Sequence, residues 1–188
     1  AAVLHLGVDD CFEGSSSPGL ERAVLLSSDG GLWQLDAAPA IRSIGHDDQA
    51  RAADISADGQ TVVLGHSEAV CLLDPASGTV SVCHPIDGRL IDVALSPDGR
   101  MVAVGTLSGE ISLVALDTGR SLAVLRGHTA RVASLAFHPD GSLLVSGGWD
   151  EQIRLWDLTR LETPPQALVG HLETAWGMGL EAALSARQ

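Results

Sequence analysis

His128, Ser146 and Asp150 carry the side chains of a nucleophilic triad: a hydroxyl, a base to take its proton and a carboxylate to orient the base. With Trp156 they equally suit a structural chain of hydrogen bonds. A buried imidazole needs both a donor and an acceptor partner, and an indole N–H needs an acceptor. No oxyanion-hole motif adjoins Ser146, so packing is expected here and acyl transfer is not. The other chemical candidates are thinner. The histidines, His5, His46, His66, His84, His128, His138 and His171, form no HxH or HExxH pair, and no metal site is expected. The glycines sit at turns with no helix following, so neither a phosphate loop nor a cofactor is expected. Cys11, Cys71 and Cys83 are odd in number and lack metal-type spacing. Cys71 and Cys83 flank the turn at Asp74 to Gly78 and could face one another across a hairpin, yet reduced, partly buried thiols are the expected state.

The first four residues belong to a stretch, Gly127 to Leu158, that reads GHTARVASLAFHPDGSLLVSGGWDEQIRLWDL. It holds three alternating runs: Val132, Leu135 and Phe137; Leu143 to Val145; and Ile153, Leu155 and Trp156. Turn residues separate them at His138-Pro139-Asp140-Gly141 and at Gly148-Trp149-Asp150-Glu151. Such a meander cannot bury both faces alone and needs neighbours. They are present in the chain. Asp58-Gly59, Asp98-Gly99 and Asp140-Gly141 repeat one turn, and Asp36, Asp74, Asp117 and Asp157 repeat one strand end, at intervals of about 40 residues. Four units result, at 1–45, 46–83, 84–126 and 127–170, with 171–188 starting a further unit or forming a tail.

Gly127-His128, the Pro-Asp-Gly turn, Ser146-Gly147, Asp150 and Leu155-Trp156-Asp157 stand in the order and spacing of a WD-repeat, so the chain resembles the WD-repeat β-propeller family. The resemblance implies an all-β propeller of about four blades, each of four antiparallel strands, forming part of a larger ring. It implies a structural network of His128, Ser146, Asp150 and Trp156. Unit two keeps His46 but has Leu64 and Leu73 at the Ser and Trp positions; unit three has Val104 and Leu116 there, and unit one keeps Asp29 only. It also implies an interaction rim for a protein or peptide partner, matched by Trp149, Arg131, Arg89 and Leu107, with Trp149 beside Arg131 as the candidate hot spot. The expected function is a non-catalytic scaffold or sensor within a larger signalling or effector protein. The rivals are a structural subunit completing a shared propeller, and a propeller enzyme or cofactor binder.

Composition adds exclusions. A net charge of −13 and a pI near 4.7 oppose a phosphate backbone, so nucleic acid is not an expected partner. No apolar run approaches the roughly 20 residues of a membrane helix, and no membrane partner is expected. All 11 cations are Arg, and Lys, Asn and Tyr are missing, which points to a GC-rich, bacterial genome. The opening AAVLHLGV lacks a basic n-region, and a cytoplasmic excerpt of a longer chain is expected. In the first unit Val3 to Val8 reads as the opening strand and residues 9–21 as a flexible Gly/Ser/Pro-rich insertion. At the other end, an outer strand near Gln166 to Val169 completes the fourth unit, and Leu180 to Gln188 holds good helix formers.

Overall fold

The computed structural model describes residues 11–16, 22–36, 40–56, 58–159 and 161. Among them lie fifteen strands in four antiparallel sheets and no helix. The first sheet is β1 (Cys11–Ser16), β2 (Arg22–Ser27), β3 (Gly31–Asp36) and β4 (Ala40–His46), and the second is β5 (Ala52–Ile55), β6 (Val62–Gly65), β7 (Ala69–Asp74) and β8 (Thr79–Pro85). The third is β9 (Leu90–Leu95), β10 (Met101–Thr106), β11 (Glu110–Ala115) and β12 (Ser121–Arg126). The last holds β13 (Val132–Phe137), β14 (Leu143–Gly148) and β15 (Ile153–Asp157). Every sheet is a meander in which sequence neighbours are also hydrogen-bonded neighbours.

Turn chemistry fixes these meanders. Ser56 and Ser96 each donate a hydroxyl proton to the aspartate two residues on, Asp58 and Asp98, at 2.6 Å, and each accepts the amide of the residue that leads into the next strand, Thr61 or Met101. The glycine after each aspartate, Gly59, Gly99 and in the last sheet Gly141, takes a left-handed φ of 69°, 69° and 75°. A second left-handed position, in the turn joining the next two strands, is held by Gly30 (φ 92°), Gly109 (φ 90°) and, in the last sheet, by Glu151 (φ 61°). At Gly30 a Cβ would stand 2.7 Å from the backbone of Asp47, and at Gly109 equally close to the carbonyls of His128 and Ala130. The lead-in to the following sheet therefore presses directly onto glycine.

Alternation then decides what the faces do. In the second sheet Val62, Leu64, Cys71 and Leu73 point one way and pack with Val24, Leu26, Leu32 and Ile44 of the first. Val63 and Val70 point the other way and pack with Leu90, Val93, Val102 and Val104 of the third. A third cluster joins Ala103, Ile111 and Leu113 to Val132, Leu135 and Leu144. Among the described residues each buried cluster lies at a junction between successive sheets, and none joins the last sheet to the first. Inner strand packs on inner strand, β1 on β5, β5 on β9 and β9 on β13.

Two buried aspartates tie these inner strands together. Asp54 of β5 accepts the Leu95 amide of β9 at 2.6 Å, and Asp92 of β9 accepts the Leu135 amide of β13 at 2.6 Å. Both carboxylates cross from one sheet to the next.

Two expectations need correction. Residues 9–21 are not simply a surface insertion, because β1 lies inside them and pairs with β2 from Cys11↔Ser27 to Ser16↔Ala23. The inner edge of β2 takes the partner that closes the shortest loop; Val3 to Val8 lies outside the described residues, as do residues 162–188 with the outer strand and helix formers read there. The second correction concerns the thiols. Cys71 and Cys83 stand directly opposite on β7 and β8, with Cα atoms 4.0 Å apart, and are joined as a disulfide. Register on the hairpin closed by Asp74 to Gly78 puts both side chains on one face, which spacing along the chain alone did not settle.

Replacing Asp92 with Ala leaves the buried Leu135 N–H without its acceptor, and a loss of about 1–3 kcal/mol in urea denaturation is expected. An unchanged unfolding midpoint would remove the carboxylate from the account of how the sheets are held.

Candidate functional site

The residues singled out in the last sheet come together as one hydrogen-bonded line. His128 stands in the lead-in to β13, Ser146 on β14, Asp150 in the β14–β15 turn and Trp156 on β15. His128 Nδ1 lies 2.8 and 3.0 Å from the two Asp150 oxygens, His128 Nε2 lies 2.7 Å from Ser146 Oγ, and Trp156 Nε1 donates to that same Oγ at 2.9 Å. Donation runs one way. Trp156 gives to Ser146, Ser146 gives to Nε2, and the Nδ1–H gives to the carboxylate. The His128 side chain is fully buried and that of Asp150 is 5% exposed.

Distances alone would fit a nucleophilic triad, so access decides. Ser146 is 1% exposed and its oxygen already receives the indole proton, leaving no approach for a substrate carbonyl. The line is a clasp between lead-in and turn. Burial works against the ionised Asp150, but the hydrogen bonds from His128 and from the Thr129 and Gln152 amides outweigh it and hold the carboxyl at about 2. Gly148 is confined by the same clasp, since a Cβ there would fall on the His128 ring and Asp150 Oδ1.

The second sheet shows what alignment of like residues missed. His46, matched to His128 by sequence, ends β4 and is exposed. Asp47 beside it takes the inner place and accepts from His66 Nε2 at 2.9 Å, with side chains 12% and 17% exposed. Here the acid comes from the lead-in and the imidazole from the turn, the reverse of the last sheet. Unit two has not lost the clasp; its partners are exchanged. An acid after His46 together with a histidine in the following turn was the signal in the chain. Unit one likewise holds more than Asp29, because Ser27 Oγ donates to Asp29 Oδ1 at 2.5 Å and Asp29 also accepts the Gly31 amide.

The four rim residues are brought together in pairs. The Trp149 amide donates to the Arg131 carbonyl at 3.0 Å, and the Leu107 amide donates to the Arg89 carbonyl at 2.8 Å. Each pair joins a lead-in to the turn that follows the second strand of its sheet. The Arg131 guanidinium carbon lies 3.2 Å from the Trp149 ring centroid, while Trp149 remains 65% exposed and Leu107 47% exposed. Stacking orders the indole without burying it.

Successive four-stranded meanders stacked through their inner strands are the blades of a β-propeller. The family model described as WD domain, G-beta repeat, matches residues 119–157. The chain is 43% identical over 67 residues to a periodic tryptophan protein 2 homolog of Schizosaccharomyces pombe, covering 35% of this chain and 8% of that protein. It is 32% identical over 106 residues to the meiotic recombination protein rec14 of the same yeast, covering 55% and 35%. With the telomerase Cajal body protein 1 of Mus musculus it shares 35% identity over 101 residues, covering 53% and 17%. Residues 119–157 thus carry a WD repeat, set in an array of propeller blades. The chain spans about a third or less of the length of these relatives, all of them eukaryotic, and the expectation of a bacterial source gains no support from them.

Removing the imidazole with His128→Ala leaves the Ser146 hydroxyl proton without its acceptor and takes a donor from Asp150, and a stability loss of about 1–3 kcal/mol is expected by chemical denaturation. Acid should act on the same clasp. The folded Asp150 pKa, about 2, lies below the ordinary 3.8, so its contribution is complete above about pH 4 and fades as pH falls toward 2. Stability measured across that window should fall more steeply in the parent than in Asp150→Asn; parallel curves would contradict the assignment.

Proposed function

We propose that this chain is a non-catalytic interaction module, the WD-repeat part of a larger scaffold or sensor protein, and that its rim binds a protein or peptide. The observation that carries this reading is Trp149: a large aromatic, exposed, yet fixed by the Arg131 guanidinium beneath it. A pre-ordered aromatic loses little entropy on binding, which is why Trp and Arg dominate interface energetics. Leu107 and Arg89 extend the same arrangement to the preceding blade. The clasp of His128, Ser146, Asp150 and Trp156 supports the rim by fixing the turn on which Trp149 stands. A net charge of −13 disfavours nucleic acid as partner, and the proposal includes neither a membrane partner nor a cofactor for the rim. Signalling context and cytoplasmic location belong to the proposal on the same footing.

A second reading, in which the chain helps complete a propeller with other blades, is favoured by β15. Among the described residues it has no outer strand beside it, and its Ile153 and Leu155 are 75% and 68% exposed. Light scattering on the purified chain separates the two: a concentration-dependent assembly supports a shared ring, and a 19.4 kDa monomer supports an independent module.

The rim itself is tested with peptides selected on the chain from a displayed random library. Trp149→Ala should weaken the selected peptides by about 2 kcal/mol, roughly 30-fold, with the fold intact. Peptides that bind the variant with parent affinity would remove Trp149 from the site.

A further inference from the structure

We propose that Asp47, His66, Cys71 and Cys83 form a redox-gated site for a divalent transition-metal ion, closed in the disulfide and opened by reduction. His66 Nδ1, Cys71 Sγ and Cys83 Sγ lie within 4.8 Å of one another, and Nδ1 is 3.4 Å from Cys71 Sγ.

The proton assignment makes the contact informative. Asp47 Oδ2 can only accept, so His66 Nε2 carries the hydrogen of their 2.9 Å bond. A neutral ring then bears a bare lone pair on Nδ1. That lone pair faces a disulfide sulfur, which has no proton to give it. Neither atom gains a hydrogen bond there. Both are metal donors once the sulfurs are thiolates, and a carboxylate behind the distal nitrogen is the usual device for orienting a ligating histidine.

Ligand type and spacing select the ion. Two thiolates and one imidazole suit Zn²⁺, with bonds of about 2.0–2.3 Å and donor atoms about 3.5–3.8 Å apart around a tetrahedron. The His66–Cys71 separation of 3.4 Å is already near that range. The sulfurs reach it by side-chain rotation when their bond is broken. Three protein ligands leave a fourth position for water or an exchangeable ligand. His66 also lines a cleft of about 340 Å³ with Gln49, Arg51 and Glu68, which gives solvent a path to the site.

The gate is thiol–disulfide exchange with a dithiol. Cys71 is fully buried and Cys83 is exposed, so the incoming thiolate attacks Cys83 Sγ and Cys71 leaves as the thiolate beside His66. The second thiol of the reductant then attacks its own sulfur in the mixed disulfide and frees Cys83. One dithiol becomes one disulfide, two cysteines are regenerated, and their two thiol protons are released as the metal binds.

The test uses the whole chain and Co²⁺, which reports thiolate ligation by near-ultraviolet charge transfer and tetrahedral geometry by its visible bands. After reduction with dithiothreitol and anaerobic removal of the reductant, one equivalent of Co²⁺ should give both signals and Zn²⁺ should displace it. The disulfide form should give neither. Asp47→Asn and His66→Ala should each weaken Co²⁺ about 10–100-fold, while Cys11→Ser leaves it unchanged. Circular dichroism confirms that each variant is folded. A reduced chain that binds no Co²⁺, or one whose affinity is indifferent to both Asp47→Asn and His66→Ala, overturns the site.

Discussion

The innermost strand of each sheet has no strand beyond it, so its outward amides must find acceptors outside their own sheet. Asp54 and Asp92 meet that constraint by reaching across the junction to the Leu95 and Leu135 amides. A carboxylate removed from water must have donors, and an amide removed from water must have an acceptor; each bond satisfies both at once. Apolar packing could hold two sheets together at many small offsets. A short charge-assisted bond at 2.6 Å permits few, so the apolar clusters on either side inherit their register from it.

The clasp between lead-in and turn works at the other end of the same strands. It is built with His128 and Asp150 in the last sheet and with Asp47 and His66, exchanged, in the second. The geometry needs a donor on one side and an acceptor on the other, without preference for which side carries which. The exchange has a chemical effect all the same. In the last sheet the imidazole points inward to Ser146 and is sealed, whereas in the second it points to the sulfurs of Cys71 and Cys83. One structural motif thus encloses an inert imidazole in one blade and sets a ligand-capable one in another.

Legibility in the sequence followed the range of the interactions. The meanders were readable because each pairs with its neighbour through a short Asp-Gly turn; β2, β3 and β9 fall where the alternating residues place them. The clasp of the fourth unit was readable because its residue types are distinct and regularly spaced. The opening strand was misplaced, since Cys11 to Ser16 has the turn-forming composition of a loop and becomes a strand only by pairing with β2. Asp54 and Asp92 carried no signal of burial, because a carboxylate among Ala, Ile and Val is buried only when a donor from another sheet arrives. The Asp47–His66 pair was hidden by matching His46 to His128 by type. The disulfide was visible as a possibility, and hairpin register decided it.

Glu151 stands where Gly30 and Gly109 stand in the first and third sheets, in the same left-handed bend. At those two glycines the missing side chain is a socket into which the next lead-in settles, at separations that a Cβ would forbid. On the fourth sheet the socket is filled. An element settling on that flank would meet a carboxylate side chain where the lead-ins at Gly30 and Gly109 meet backbone. Glu151 therefore gives the outer flank of the fourth blade a charged side chain at a point where the first and third blades offer bare backbone.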